Sequence, residues 1–205
     1  MLPNGYRARG ARWGECLATV CALVIAIAMA LPGSTGEAAG AAQRARISYV
    51  FPVRPASAAW FGRYHHDYPA TDIFCPPGSR FVAPVSGVVD YVSLTDRWDP
   101  RTDDPAARGG LSVALLGEDG VRYYGSHLSS VAPGIVQGVR VRAGQLLGRT
   151  GKTGSARNTP PHLHFGISRP TYPTDWQARR GEINPYVYLR AWARGTALTP
   201  GLPGR

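Results

Sequence analysis

Residues 111–124 read LSVALLGEDGVRYY, two short apolar runs joined by a Gly-Glu-Asp-Gly turn. Short runs of aliphatic and aromatic residues that are bounded by Gly and Asp are typical of β-strands. A four-residue connection that begins and ends with Gly is typical of a hairpin. Leu111–Leu116 and Val121–Tyr124 are therefore predicted to form an antiparallel pair.

The same alternation of short strands and turns continues on both sides of this hairpin. Further strands are predicted at Phe81–Pro84, Gly87–Ser93, Val139–Val141, Leu146–Gly148 and His162–Ile167. Because no helical periodicity lies between these strands, the pattern favours an all-β fold with a mainly antiparallel sheet over a βαβ fold. Glu182–Arg194 predicts one short C-terminal helix that begins near Asn184-Pro185, since Pro is favoured in a first helical turn. The polar stretch Thr95–Gly110 predicts a long surface loop, and such loops in compact domains are often functional.

The first 41 residues have the features of an export signal. Arg7, Arg9 and Arg12 precede Cys16–Leu31, a sixteen-residue run that is apolar except for one threonine, and small residues follow it. This order is typical of a secretory signal peptide. A retained membrane anchor is the alternative, although a spanning helix needs about twenty apolar residues. We predict a signal peptide at 1–41, a linker at 42–59, one domain at 60–194 and a disordered tail at 195–205, and hence a secreted protein with no stable membrane anchor.

Without residues 1–41 the chain keeps twenty basic residues, eleven acidic residues and one cysteine. This positive balance favours an anionic partner such as a cell-wall surface. The arginines are scattered, with no dense run and no interleaved aromatic residues, which argues against nucleic-acid binding. Cys75 has no partner for an internal disulfide. It is predicted to pack as a small residue, with metal ligation as the alternative because it follows Asp72 by three positions.

Two segments far apart in the sequence carry metal-binding residue types. His162 and His164 are two apart in a predicted strand, so both side chains project from one face. His66 and Asp72 are six apart, and His65 is the alternative to His66 because a proline bends the chain between them. Each segment alone is explained as well by surface histidines and a turn-capping aspartate. Together they offer three N/O ligands, the number that a catalytic zinc ion takes from a protein.

His127 lies at the end of the second hairpin strand and is the third member of this set. Alone it would be taken for a surface histidine. The chain has five histidines, and all five lie in these three segments. That concentration favours a chemical role for the set.

In their order along the chain, these segments resemble those of the lysostaphin-type (LytM-like) zinc metallopeptidases of bacterial cell-wall peptides. The matching segments are His66 to Asp72, Gly78–Ala83, Tyr124–Leu128, Val141–Gln145, Gly151–Gly154 and His162–Phe165, within about residues 60 to 170. Two spacings differ. The first His and Asp are six or seven apart here rather than four, and the spacing from Tyr to His is one residue longer, so Tyr123 and Tyr124 are both candidates for the family position.

The resemblance implies a sheet with a groove and one zinc ion held by His66, Asp72 and His164. It also implies that His162 and His127 stay unligated, polarise the attacking water and steady the tetrahedral intermediate. The expected protein is a secreted, cell-wall-associated endopeptidase that acts on peptidoglycan peptides. The alternative is a non-catalytic metal-binding wall module that activates other hydrolases, which would have no need of two spare imidazoles.

Substrate-contacting residues are predicted from their positions only. Trp98 lies in the Thr95–Gly110 loop, and Asn158 lies in the Ser155–Pro161 loop that leads to the HLHF strand. Tyr124 precedes His127 on the hairpin strand. These three residues are predicted to line the groove.

Overall fold

The computed structural model describes residues 47–202, which form one antiparallel sheet and two short α-helices. The strands are β1 (Val53–Arg54), β2 (Trp60–Phe61), β3 (Thr71–Phe74), β4 (Arg80–Val82), β5 (Gly87–Ser93), β6 (Leu111–Gly117), β7 (Arg122–Val131), β8 (Arg140–Val141), β9 (Leu146–Thr150) and β10 (His162–Ser168), and the helices are α1 (Trp176–Arg179) and α2 (Tyr186–Ala193). Every strand pair is antiparallel, which confirms the predicted fold class. Within this part of the chain, no helix is both long and apolar enough to cross a membrane. The predicted signal peptide at 1–41 lies outside the described residues.

Strand β7 is the centre of the sheet. It pairs with its hairpin partner β6, with β9 and with β10. β10 in turn pairs with β3, which pairs with β2. On the other side, β9 pairs with β4 and β4 with β1, while β6 leads through β5 to β8. The pairing of β10 with β3 brings the two predicted metal-binding segments side by side.

One face of the sheet carries the apolar core. Its largest fully buried side chains are Tyr123, Phe51, Phe81, Phe165, Ile73, Leu115, Leu128, Leu147, Leu163, Ile167 and Leu189. Burying one such side chain stabilises a fold by about 1.5–3 kcal/mol. Cys75 is buried in this core, where its thiol lies 3.5 Å from the Thr150 hydroxyl. The packing interpretation of Cys75 is therefore confirmed.

The predicted linker at 42–59 is wrong from residue 47 onward. Ile47, Tyr49, Phe51 and Val53 are all buried in the core, and Val53 pairs with Phe81 in the sheet. Ile47, Tyr49 and Phe51 alternate with the exposed Ser48 and the half-buried Val50, which is the period of a strand with one buried face. Residues 47–59 therefore belong to the domain, and 42–46 lie outside the described residues.

The predicted disordered tail at 195–205 is also wrong, as far as residue 202. The Trp192 indole N–H donates to the Leu198 carbonyl at 3.0 Å, and the Tyr49 hydroxyl lies 3.1 Å from the Thr199 hydroxyl. Leu202 packs against the core. The tail is held because it covers the buried Trp192, which a Gly/Pro-rich composition does not reveal.

The predicted strands are all present, with shifted ends. The second hairpin strand runs to Val131 rather than to Tyr124, and β1, β2 and β3 were not predicted. The C-terminal helix is shorter than predicted, at Tyr186–Ala193, and begins after Asn184-Pro185 as expected. The Asn184 side-chain oxygen accepts a hydrogen bond from the Tyr186 backbone amide at 2.9 Å.

Candidate metal centre and active site

Two of the predicted ligands face each other across the β3–β10 pair. His164 lies directly opposite Asp72 in the register, and its Nδ1 is 3.0 Å from Asp72 Oδ1. Directly opposed residues in an antiparallel pair have Cβ atoms about 4.5–5.5 Å apart, so their side chains meet without any loop to place them. His162, two residues earlier on β10, projects from the same face, and its Nε2 is 3.9 Å from Asp72 Oδ1. Both histidines thus point as the strand period predicted.

The third group comes from the irregular segment between β2 and β3. His65 Nε2 lies 3.9 Å from Asp72 Oδ2, and the His65 side chain is only 5% exposed. Ligand atoms of His65, Asp72 and His164 all lie within 4.8 Å of one another. This set has the size and chemistry of a three-ligand metal site.

The structure corrects the first choice of His66 as a ligand. The His66 ring stacks on the His65 ring but turns outward, with 72% of its side chain exposed and its Nδ1 2.7 Å from Asp67 Oδ1. Residues 62–70 are not extended, so an even spacing from Asp72 does not put a residue on the face of Asp72. The alternative, His65, is the residue that the fold brings to Asp72.

The surroundings of His164 fit a bound cation. Its Nε2 is 3.0 Å from the Arg180 backbone carbonyl, which only accepts, so Nε2 carries the proton of the neutral ring. Its Nδ1 then carries a lone pair, which faces Asp72 Oδ1 at 3.0 Å. Two acceptors cannot bond to each other, and a positive ion between them removes the conflict.

Burial and neighbouring charges favour the protonation states that a metal needs. Burial, followed by the nearby His164, lowers the pKa of His65 to about 4. Burial alone would raise the pKa of Asp72, but the neighbouring His164, followed by His162 and His65, lowers it to about 2. At neutral pH, His65 is therefore a neutral ring and Asp72 a carboxylate, the forms that bind metal ions.

His127 reaches the same cleft through a β-bulge. Its φ of 63° lies in the left-handed region that residues other than Gly rarely adopt, and the β6–β7 and β7–β9 registers both shift close to it. A bulge re-aims a side chain that would otherwise alternate to the opposite face. His127 and its neighbour Ser126 both line the cleft as a result. The bulge accommodates the extra residue between Tyr124 and His127.

Backbone carbonyls set the tautomers of His162 and His127. His162 Nδ1 lies 2.8 Å from the Pro160 carbonyl, and His127 Nδ1 lies 2.9 Å from the Thr153 carbonyl. Each neutral ring therefore holds its proton on Nδ1 and presents the Nε2 lone pair to the cleft. The two ring centres are 5.0 Å apart. Burial, followed by the neighbouring His164 and His162, lowers the pKa of His127 to about 3, so this ring is neutral at pH 7.

The chain is similar to known proteins in sequence and in fold. The sequence profile of peptidase family M23 matches residues 66–178, more than half of the chain. The chain belongs to peptidase family M23. The match begins one residue after His65, so it does not itself choose between His65 and His66.

One curated relative and two solved structures show the extent of the similarity. The L-Ala–D-Glu endopeptidase of Bacillus subtilis (strain 168) is 31% identical over 155 residues, which span 73% of this chain but only 42% of that protein. Lysostaphin from Staphylococcus simulans is 23% identical with a TM-score of 0.54, over 77% of this chain and 60% of that one. The LytM protein of Ruminococcus gnavus is 24% identical with a TM-score of 0.54, over 73% and 62%. The sheet of this M23 domain therefore has the lysostaphin-type fold.

His65, Asp72 and His164, hereafter the metal-binding group, line a cleft of about 360 Å³. The loop between β5 and β6 contributes to the lining through Asp103, Pro105, Ala106, Arg108 and Gly109. Further lining residues are Tyr68, Trp176 and Arg180, and Ser155, Ala156 and Thr159. Both loops predicted as walls do line the cleft.

Of the three predicted substrate contacts, only Tyr124 lines the cleft. Tyr123 points into the core, where its hydroxyl bonds to Asp119, which settles the choice between the two tyrosines. Trp98 instead holds together the loop between β5 and β6. Its indole N–H donates to Asp103 at 3.1 Å, and the Arg157 guanidinium lies over its ring. Asn158 is exposed and, like Trp98, is not part of the cleft lining formed by residues 47–202.

Sequence reasoning missed the wall formed by Tyr68, Trp176 and Arg180. Helix α1 begins after Asp175, whose side chain accepts a hydrogen bond from the Ala178 amide at 3.1 Å. An Asp three residues before a backbone amide that needs a partner is an N-cap signal, and it was available in the sequence. What the sequence does not show is that α1 packs against β10 and β7 beside the metal-binding group.

Proposed function

We propose that this M23 peptidase is an exported, zinc-dependent endopeptidase that hydrolyses peptide bonds of peptidoglycan. The observation that carries the proposal is the combination of a three-ligand group with two unligated imidazoles in one cleft. The similarity to an L-Ala–D-Glu endopeptidase supports a cell-wall peptide as the substrate. The signal-like residues 1–41 support export, and the positive net charge supports an anionic wall surface as a partner.

His65, Asp72 and His164 are the residues that would hold the zinc ion. When bound, zinc acts as a Lewis acid on the carbonyl of the substrate and lowers the pKa of a water molecule to about 7. Asp72 supplies one negative charge, and the two neutral imidazoles supply lone pairs. The Arg180 carbonyl orients His164 for this role, since partners of this kind fix the tautomer of a ligating ring.

His162 and His127 provide the proton transfers. Each presents an unprotonated Nε2 to the cleft. His162 is placed to accept the proton that leaves the attacking water, whereas burial lowers the pKa of His127 to about 3 and makes it the weaker base. With their centres 5.0 Å apart, the rings disfavour two positive charges at once, so one proton is held at a time. A neutral His127 with its proton on Nδ1 accepts hydrogen bonds at Nε2, and it becomes a donor to the carbonyl oxygen only after it has gained a proton.

A non-catalytic wall module that activates other hydrolases is the second candidate. A metal site that serves stability alone takes all four of its ligands from the protein, and it has no need of unprotonated imidazoles beside it. Here two buried imidazoles have their Nε2 atoms held open, and one of them has an unfavourable backbone conformation. Such strain is found chiefly where function requires it. These observations favour the peptidase.

The test is a digest of purified peptidoglycan with the chain from residue 42 onward. New amino termini are expected with zinc, none with a chelator, and recovery when zinc is restored. His162→Ala and His127→Ala are each expected to lower kcat by about 10²- to 10⁴-fold while zinc content stays unchanged. Zinc binding without release from several wall types would favour the activator module instead.

A further inference from the structure

Two consecutive arginines end helix α1 and have opposite environments. Arg179 is only 4% exposed; its guanidinium lies 3.6 Å from the Tyr91 ring centre and donates to the Pro173 carbonyl. The Arg179 guanidinium is therefore occupied by contacts inside the fold and is not open to a ligand. Arg180, the next residue, turns its side chain into the cleft of the metal-binding group.

Aromatic rings hold the Arg180 guanidinium in place. It lies 4.0 Å from the ring centre of Tyr68 and 5.1 Å from that of Trp176. Rings that cover the faces of a guanidinium leave its N–H groups free at the edge, where a carboxylate can bind with two parallel hydrogen bonds. Among residues 47–202, no carboxylate forms an ion pair with Arg180.

The other charged groups of the cleft are already engaged. Asp67 is bonded by His66 at 2.7 Å, and Asp103, which also lines the cleft, accepts from Arg108 Nε at 2.9 Å. Asp72 belongs to the metal-binding group. Arg180 is therefore the cleft-lining positive charge that has no ion-pair partner within the described residues. An anionic group of a ligand would supply that partner.

The position of Arg180 relative to the metal-binding group is fixed through two connections. Its backbone carbonyl contacts His164 Nε2 at 3.0 Å, and the Tyr68 ring that supports its guanidinium lies 5.8 Å from the His164 ring. One aromatic ring thus separates the guanidinium from the reaction centre. Because two extended residues span about 7 Å, a carboxylate one or two residues from the scissile bond would reach Arg180.

We infer that Arg180 is a specificity residue that binds a free carboxylate of the substrate peptide, close to the bond that is cut. The inference rests on the proposed function for the nature of the substrate. It implies that a peptide whose carboxylate has been converted to a carboxamide is a poor substrate, since a neutral amide cannot form the charge-assisted pair.

Two stem peptides with the sequence L-Ala–D-Glu–L-Lys test this, with lysine joined to the glutamyl γ-carboxyl group and its own carboxyl group amidated. One has the free glutamyl α-carboxylate and the other has its carboxamide. For the zinc-loaded protein, kcat/KM is expected to be roughly 10- to 100-fold higher for the free acid, the size of one charge-assisted pair. In Arg180→Gln this ratio is expected to fall to about one, and in Arg180→Lys to an intermediate value. Arg108→Gln is the matched control, because it removes a charge from the same cleft but should keep the ratio.

Binding to the chelator-treated protein separates this inference from the proposed function. Calorimetric titration of both peptides measures the same preference without turnover. If no peptide is cut but the free acid binds better and Arg180→Gln abolishes the difference, the proposed function fails and the inference stands. Equal binding and equal cleavage of the two peptides, or a ratio that survives Arg180→Gln, would overturn it.

Discussion

The two histidine pairs of this molecule were placed by different means. His162 and His164 lie two residues apart on β10, and the strand alone sends both rings to one face opposite Asp72. His65 and His66 are adjacent on an irregular segment, where one ring is buried against Asp72 and the other points to solvent. A strand ladder converts sequence spacing into geometry, whereas a loop requires the whole fold to decide.

The same contrast applies to how firmly each ring is held. The strand-borne rings have their tautomers set by carbonyls, His162 by Pro160 and His164 by Arg180. Among residues 47–202, the one hydrogen bond of the His65 ring comes from the Asp67 backbone amide, which lies 3.5 Å from its Nδ1, at the limit of a hydrogen bond. The orientation of His65 therefore rests on packing against the rings of His66, Tyr68 and His164 more than on hydrogen bonds.

The largest expected effect on zinc binding comes from a change in the β3–β10 strand pair. His164→Ala removes the ligand that faces Asp72, and Leu163 beside it points into the core and offers no replacement. We expect the variant to lose its zinc and to show no measurable peptidoglycan hydrolysis. Zinc content by atomic emission and the digest check this, and His162→Ala, on the same face, should keep its zinc. A His164→Ala protein that binds stoichiometric zinc would contradict the assignment of His164 as a ligand.

A smaller effect is expected from the carbonyl that orients His164. A Cβ on Gly166 would lie 2.3 Å from the Arg180 oxygen, so Gly166→Ala displaces that acceptor. Loss of such a partner typically costs 10- to 100-fold in metal affinity. Competition with a chromophoric chelator measures the change.

The matched control for this variant is Gly62→Ala, on the loop that carries His65. Its Cβ would meet nothing closer than 3.9 Å, so zinc affinity should stay within about twofold, well below the typical effect of losing an orienting partner. If Gly166→Ala binds zinc as tightly as Gly62→Ala does, the Arg180 carbonyl has no role in orienting the ligand.

The bulge that presents His127 has a consequence for pH. Burial lowers the pKa of His127 from 6.5 to about 3, so between these values the unfolded chain binds a proton that the folded one does not. The free energy of unfolding of the metal-free protein is therefore expected to be constant above pH 6.5 and to fall as the pH drops toward 3. From pH 7 to 5 the loss attributable to this ring is about 1–2 kcal/mol. Urea unfolding at both pH values measures it, and His127→Gln should lose that part of the slope.

How much of the fold and site was predictable follows from the same contrast. The hairpin β6–β7 and the shared face of His162 and His164 follow from strand period and turn chemistry, whereas the pairing of β10 with β3 that brings them to Asp72 does not. The choice between His65 and His66, the groove wall of Tyr68 and Arg180, and the bulge at His127 depend on contacts between distant segments. Composition was misleading at both ends of the domain, because residues 47–59 and 195–202 are held by burial against the core.

The most direct test of the account is a comparison of His65→Ala with His66→Ala. Both remove one imidazole from the same segment, so general effects on the loop are shared. We predict that His65→Ala loses stoichiometric zinc and peptidoglycan hydrolysis, while His66→Ala retains its zinc and most of its activity. Loss of zinc in His66→Ala with retention in His65→Ala would contradict the assignment of the metal-binding group.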